Sequence, residues 1–325
     1  MRMPRRSFLC LAGAVAAAGA VSRRVNAQAY PSRPVRLMVG FAAGSTTDIL
    51  ARLIGQWLSE RFGQQFIVEN RPGASANIAT EAVVKSPADG YTLLMVAPVH
   101  TINATLFAKL NYNFIRDMEA VAGIVRVPNV LEVHPSVPVK TVPELIEFAQ
   151  RNPGALSFAS AGVGTASHLA GEMFKTMVGV NLVHVPYHGD GPAMTDLIGG
   201  QVQVGFATMT ASIGHIRSGR LRPLAVCTLM RSEVLPELPT VSQFVPGYEA
   251  SSTFGVAAPK GAPASVIDSL NREINRGLAD STITARLGEM GGMVLAGSRA
   301  EFGKLIADDT EKWGKVIRAA NIKQE

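Results

Sequence analysis

The strongest constraint on the fold is a regular alternation of strand-like and helix-like segments that begins at Val35. Apolar runs such as residues 35–40 and Thr92–Val96 alternate with runs of helical periodicity, of which residues 47–62 are the clearest. This alternation is typical of βα units, in which mostly parallel strands are covered by helices on both faces. The chain is 47% hydrophobic and only 17% charged, which excludes a disordered protein and predicts an α/β fold with a sizeable core.

Two proline clusters, within residues 128–143 and 236–246, mark the predicted boundaries. We expect residues 28–129 and 251–325 to form a first lobe, because the last helices need a sheet to cover, and residues 130–250 to form a second. Two connections between α/β lobes are typical of a hinged protein that closes on a ligand. The same patterns predict strands at residues 66–69, 156–159, 182–185, 202–206, 224–228 and 253–257, and helices at 74–85, 142–151, 165–177, 191–198 and 211–218.

The first 27 residues predict a secretory signal, because an apolar stretch follows a charged start and small residues precede Gln28. The run from Arg5 to Leu9 is also typical of a twin-arginine signal, so both export routes stay open. This segment holds five of the 31 basic residues and no acid, which leaves 26 basic against 25 acidic residues in the rest. The basic balance therefore gives no reason to expect nucleic acid as a partner, and we expect an exported protein without a membrane span.

Cysteine and histidine patterns predict no metal site and no cofactor. Cys10 falls within the predicted signal, and Cys227, in an apolar strand-like run, is expected to be a buried, unreactive thiol. His184 and His188 lie four residues apart, but Pro186 breaks any helix that would align them.

Three loops between a predicted strand and a predicted helix are the candidate binding loops: residues 41–48, 160–168 and 186–193. Glycine lets the backbone approach a ligand, and the free N–H groups at a helix start attract anions. The second loop nearly matches the dinucleotide-binding pattern, but Ser167 replaces its third glycine and no acid follows about 20 residues later. These loops predict either an anion-binding cleft or simply well-capped helices.

Several stretches in the same order resemble the Bug family, the extracytoplasmic solute receptors of tripartite tricarboxylate transporters. They are residues 30–35 (YPSRPV), 41–48 (FAAGSTTD) with 51–52 (AR), 68–74 (VENRPGA), 88–93 (ADGYTL), 184–187 (HVPY), 199–202 (GGQV), 221–226 (LRPLAV) and 238–240 (LPT). The resemblance implies a type II periplasmic-binding-protein fold, with two doubly wound α/β lobes, a hinge and a cleft between the lobes. It also implies a periplasmic receptor that captures a small carboxylate for a membrane transporter or sensor, without a catalytic step, and we expect this receptor to be a monomer.

Carried over by position, the resemblance nominates thirteen ligand-binding residues. They are Phe41, Ala43, Gly44, Ser45 and Thr46 in the first lobe, Gly162, Gly164, Thr165 and Ser167 in the second, and Tyr187, Gly189, Ala207 and Thr208 as flanking walls. Asp48 is assigned to a helix cap. Three positions depart from the family pattern: Ser45 replaces a glycine, His188 replaces a lysine, and Ser242-Gln243 stands where an acid is usual. These departures leave the identity of the carboxylate open.

A periplasmic hydrolase or isomerase that uses Ser45, Ser167 or His168 in the same cleft is the alternative prediction. None of these residues has a recognisable base or orienting partner nearby in the sequence. A structure that places Ser167 beside a histidine and a carboxylate would favour the enzyme. An interaction protein with an exposed apolar patch is a third possibility.

Overall fold

Strands and helices alternate along residues 30–323, the part of the chain that the computed structural model describes. The predicted signal at residues 1–27 lies outside the described residues, and the compact unit discussed below begins at Arg33. The strands are β1 Val35–Val39, β2 Phe66–Asn70, β3 Thr92–Val96, β4 Met118–Val133, β5 Ser157–Ser160, β6 Val183–Pro186, β7 Val204–Thr208, β8 Arg222–Val226, β9 Ser251–Pro259 and β10 Met293–Val294. The helices are α1 Thr46–Phe62, α2 Asn77–Val84, α3 Pro98–Leu106, α4 Phe114–Asp117, α5 Val142–Arg151, α6 Ala166–Val178, α7 Asp190–Ile198, α8 Met209–Arg217, α9 Ala264–Leu278, α10 Ser281–Glu289 and α11 Arg299–Ala319.

The strands form one mixed sheet in the order β2-β1-β3-β9-β4-β7-β5-β6, with β8 and β10 also pairing with β4. Strand β1 is parallel to β2 and β3, and β5 is parallel to β6 and β7. At the centre, β9 runs antiparallel to β3 and β4, and β4 runs antiparallel to β7. The prediction of mostly parallel strands is therefore correct for the two outer groups, which we call the first lobe (β1–β3) and the second lobe (β5–β7), and wrong for the strands that join them.

Strand β4 runs continuously through Pro128, the first proline of the cluster taken as a lobe boundary. Residues Met118–Pro128 pair with β9, whereas Asn129–Val133 pair with β7 and β8. Proline has no N–H to donate to a ladder, and here it occupies the position where β4 exchanges one partner strand for the next. The predicted residue boundaries of the lobes stay a prediction, although the change of partner falls beside residue 129.

Each lobe has its own group of buried apolar side chains, and helix α11 contributes to both. Phe302 and Ile306, near the start of α11, pack in the first-lobe cluster with side chains from β3. Trp313 and Ile317, near its end, pack in the second-lobe cluster that contains Phe158. Helix α11 thus bridges the two lobes along its length.

The helix predicted at residues 74–85 begins three residues late, at Asn77. Ala74, Ser75 and Ala76 have left-handed backbone angles, with φ of 47°, 50° and 68°, which a regular helix does not allow. The Nδ2 group of Asn103 donates to the Ser75 carbonyl at 2.8 Å and holds this turn in place. The turn places its residues at the edge of the cleft described next.

Candidate functional site

Five helices begin around one small cavity of about 70 Å³. They are α1, α3, α6, α7 and α8, and each follows a strand that belongs to one of the two parallel groups. Ligands of α/β proteins bind at such carboxyl ends of strands. The volume suits about two water-sized groups. The lining residues are Phe41, Ser45, Thr46, Thr47, Ala97, Pro98, Val99, Ala161, Thr165, Ala166, Ser167, Gly189, Asp190, Thr208, Ser252 and Phe254.

A larger cavity of about 1340 Å³ shares several of these residues and extends between the lobes. The first lobe contributes residues 40–46 and residues 72–76, which include the left-handed turn. The second lobe contributes residues 161–163 and 186–192, together with His215 and Arg220 near the end of α8. The small cavity therefore matches the size of one polar head group, and the larger one leaves room for the rest of a ligand.

Eleven of the thirteen predicted site residues line one or both cavities. The exceptions are Gly164 and Ala207. A Cβ atom at Gly164 would lie 2.3 Å from the Leu106 side chain, so this glycine packs closely against helix α3. Ala207 is buried in β7, immediately before Thr208. Ligand binding by the thirteen residues stays a prediction, but the structure brings most of them to one place.

At the start of α1, the loop is held by Asp48. The side-chain oxygen of Ser45 accepts the Asp48 N–H at 3.3 Å, and Asp48 Oδ2 accepts the Gly44 N–H at 2.9 Å. Burial opposes ionisation of this carboxyl, but hydrogen bonds from Arg52, Gly44 and Asn70 lower its pKa. Asp48 thus serves the cap, as its position predicted, and leaves the N–H groups of Thr46 and Thr47 without an intrahelical acceptor.

At the start of α6, hydroxyl groups fix the second loop. Thr165 Oγ1 donates to the Gly162 carbonyl at 2.7 Å, and Ser167 Oγ accepts the Ala161 N–H at 3.0 Å. Gly162 has a φ of 130°, and a Cβ atom there would lie 2.9 Å from the backbone oxygen of Tyr187. The glycine therefore allows the second and third loops to lie against each other.

Two stacked histidines support the second loop from behind. The rings of His168 and His184 lie 4.0 Å apart, His168 Nδ1 accepts the Gly164 N–H at 3.1 Å, and His184 Nε2 lies 2.7 Å from Ser160 Oγ. Burial and the nearby Lys175 lower the pKa of His184 to about 4, and burial, His184 and Lys175 lower that of His168 to about 3. Both rings are neutral at ordinary pH, so they act as hydrogen-bonding supports.

The third loop supplies a phenol ring and a carboxylate. Tyr187 donates its hydroxyl hydrogen to Asp196 at 2.7 Å, which leaves the ring as an apolar wall of the larger cavity. Burial, followed by the contact with Asp196, raises the pKa of Tyr187 to about 12. Asp190 is the first residue of α7 and lines both cavities, and burial raises its pKa to about 6.

Thr208 and Ser252 complete the small cavity. Thr208 is the N-cap residue of α8 and is only 8% exposed, but its hydroxyl makes no capping hydrogen bond and has no hydrogen-bond partner within the described chain. Ser252 donates to Asn129 Oδ1 at 3.2 Å, and Asn129 Nδ2 donates to the Phe206 carbonyl at 2.7 Å. Ser252 was not predicted as a site residue, because nothing in a buried β9 segment indicates proximity to the three loops.

Hydroxyl side chains, helix N-termini, several apolar side chains and Asp190 line the small cavity, and none of its lining residues is a lysine or arginine. Aligned N–H groups place about half a positive unit charge at the start of each helix, so the arrangement favours a small anion. Among residues 30–323 no group of three potential metal ligands is found. None of the described helices is both long and apolar enough to cross a membrane.

The geometry does not assemble the nucleophilic site that the enzyme alternative requires. Ser167 contacts the Ala161 N–H and the Thr165 hydroxyl, and no bond joins it to a histidine or a carboxylate within the described chain. The Ser160–His184 contact is a serine–histidine pair, but Ser160 is 1% exposed and lines neither cavity.

Comparison with known proteins identifies what the chain is similar to. The model of the TctC family, described as "Tripartite tricarboxylate transporter family receptor", matches residues 50–322 of this chain. The structure of R. palustris Rpa4515 with adipate has a TM-score of 0.86 and 40% identity, covering 90% of this chain and 99% of that one. The periplasmic binding protein BugD has a TM-score of 0.84 and 33% identity, with coverages of 91% and 100%. MatC from Rhodopseudomonas palustris with bound malate has a TM-score of 0.82 and 28% identity, with coverages of 89% and 100%. The predicted two-lobed, periplasmic-binding-protein fold is confirmed.

Proposed function

Because the chain belongs to the tripartite tricarboxylate transporter receptor family, we propose that it captures a small carboxylate in the cleft where five of its helices begin. One carboxylate group of the ligand occupies the small cavity and accepts hydrogen bonds from backbone N–H groups and hydroxyls. The rest of the ligand lies in the larger cavity, against the ring of Tyr187 and the left-handed turn at residues 74–76. Adipate and malate, the ligands of two similar proteins, have the chemistry that this arrangement accepts.

The unpartnered hydroxyl of Thr208 is the observation that carries this proposal. A buried polar atom without a partner destabilises the folded protein, so a ligand acceptor at this place removes that penalty. The neighbouring helix starts supply further donors for the same oxygen atoms. Both features favour an anion with hydrogen-bond acceptors over a sugar or a cation.

We further propose that the protein acts in the periplasm, as a monomer, and delivers its ligand to a membrane transporter or a sensor without a chemical step. The family supports delivery to a transporter, and the similarity to BugD supports the compartment. The predicted signal at residues 1–27 supplies the route of export.

Calorimetric titration of the protein without residues 1–27 tests the binding proposal. We expect saturable binding of at least one small dicarboxylate, and Thr208→Val should weaken it about tenfold or more, because a hydrogen bond to a charged acceptor is lost. Thr176→Val, which changes an exposed residue that lines neither cavity, is the matched control and should leave affinity unchanged.

Binding of sugars or cations in preference to every carboxylate tested would contradict the proposal. So would a Thr208→Val protein that binds a carboxylate as tightly as the Thr176→Val control. Thermal unfolding of both variants without ligand establishes that they fold. Repeating the measurement with a carboxylate tests binding independently, since a ligand that binds the folded protein raises its unfolding temperature.

A further inference from the structure

Asp190 places a negative charge inside a cavity that is otherwise suited to an anion. Resting on the proposed function above, we propose that Asp190 makes the site selective for carboxylates that carry a hydroxyl or ammonium group beside the bound carboxylate, over plain dicarboxylates. Among the residues that line the small cavity, Asp190 is the only one with an acidic or basic side chain.

The carboxylate of Asp190 forms no hydrogen bond or ion pair within residues 30–323. Its position on α7 explains why. Gly189, and not Asp190, is the residue that precedes the helix as its cap, and Pro192, two residues after Asp190, has no N–H to donate to the carboxylate. Other acids at helix starts are used by the protein itself. Asp280 accepts the N–H groups of Thr282 and Ile283, for example. Asp190 is thus free to accept a hydrogen bond from a ligand.

The charged and titratable groups around Asp190 do not neutralise it. Tyr187, His188, His215 and Arg220 line the larger cavity, but none of them lines the small one. Tyr187 already donates to Asp196. The starts of the helices are the positive ends that line the small cavity together with the ionised Asp190, and a ligand carboxylate competes for them.

This competition determines which ligands fit. A dicarboxylate without a donor group leaves Asp190 unpaired and brings further negative charge near it, and like charges in contact weaken binding. A hydroxyl group on the ligand supplies the missing donor. An ammonium group supplies a donor and the opposite charge, so its contact with Asp190 is stronger than that of a hydroxyl group.

Succinate, malate and aspartate test this selectivity, because they share a four-carbon dicarboxylate skeleton and differ at one substituent: hydrogen, hydroxyl or ammonium. For the protein without residues 1–27, calorimetric titration at pH 7.5 should give affinities in the order aspartate, malate, succinate. In Asp190→Asn we expect about tenfold weaker binding of aspartate and about tenfold tighter binding of succinate. If the four-carbon acids are too short, adipate with its 2-hydroxy and 2-amino derivatives provides the same comparison.

Two further variants separate the outcomes. Asp308→Asn, an exposed acid on α11 that lines neither cavity, removes the same charge and should preserve the order of affinities. Asp190→Gly removes the carboxylate without adding an amide, and should likewise abolish the preference for a donor-bearing ligand. An unchanged order of affinities in both Asp190 variants, or equal changes for all three acids, would overturn the inference. Failure of the unmodified protein to bind any carboxylate would instead refute the proposed function.

Discussion

Two glycines with the same backbone conformation allow packing to be separated from ligand approach. Gly44 and Gly164 have φ of 83° and 76°, in the left-handed region that alanine occupies only at a cost. A Cβ atom at Gly44 would meet nothing within 4 Å, whereas one at Gly164 would lie 2.3 Å from Leu106 Cδ2. Gly44 lines the larger cavity, and Gly164 lines neither cavity. The two alanine substitutions therefore have different consequences.

The expected losses in the free energy of unfolding follow from these environments. Gly44→Ala adds only the left-handed backbone term, about 1–2 kcal/mol. Gly164→Ala adds the same term and also displaces Leu106, which is 6% exposed in the second-lobe cluster, and overpacking a core costs about 1–3 kcal/mol. The total for Gly164→Ala is about 2–5 kcal/mol.

Urea unfolding monitored by circular dichroism measures the difference. Gly164→Ala should unfold at the lower urea concentration, while calorimetric titration should show that Gly44→Ala loses more carboxylate affinity, since its methyl group enters the cavity lining. Equal destabilisation of the two variants would refute the packing argument. Greater loss of affinity in a folded Gly164→Ala protein would mean that Gly164 contributes to the site after all.

Three other predictions concern buried ionisable groups. Burial raises the pKa of Glu132 to about 8, so its folded form holds a proton that the unfolded chain releases above about 4.5. The contribution of Glu132 to the free energy of unfolding should accordingly fall as pH rises from 5 to 8, so urea titrations should show the unmodified protein losing stability relative to Glu132→Gln across this range; a constant difference between the two proteins would contradict this. His168 and His184, with pKa values lowered by burial, favour folding above about pH 6.5 and oppose it as pH falls towards 4. Their NMR ring signals should not titrate between pH 7 and 5, and protonation in that range would refute their neutral supporting role. Burial raises the pKa of Cys227 to about 12, so a thiol reagent should modify the protein without residues 1–27 only after unfolding in urea, and rapid modification of the native protein would contradict its burial.

The loops that line the cavities were predictable from the sequence because their signals are local. Glycine followed by hydroxyl residues marks the starts of α1 and α6, and Ser45 and Thr165 cap those helices as such residues usually do. The βα alternation around them also predicted the two parallel groups of strands. In each case the information lies within a few residues of the element that it specifies.

The centre of the sheet and the deeper side of the cleft were not predictable in this way. Pro128 indicates only a boundary when its neighbours alone are considered, and its place between two ladders depends on β7 and β9, which are distant in sequence. The left-handed conformation of Ser75 depends on Asn103, and Ser252 reaches the small cavity through the same long-range pairing of β9. Non-local contacts determine these features, and the periodicity of the sequence does not predict such contacts.

The proposed use of helix starts as binding groups has an evolutionary consequence. A backbone N–H group is present whatever side chain the residue carries, proline excepted, so substitutions at the lining positions do not remove most of the donors. Side chains that project into the cleft, such as Asp190, are then free to vary and to change ligand preference without loss of the anion site. A duplicated copy of such a chain can therefore acquire a new carboxylate ligand through one or two substitutions while it keeps its fold.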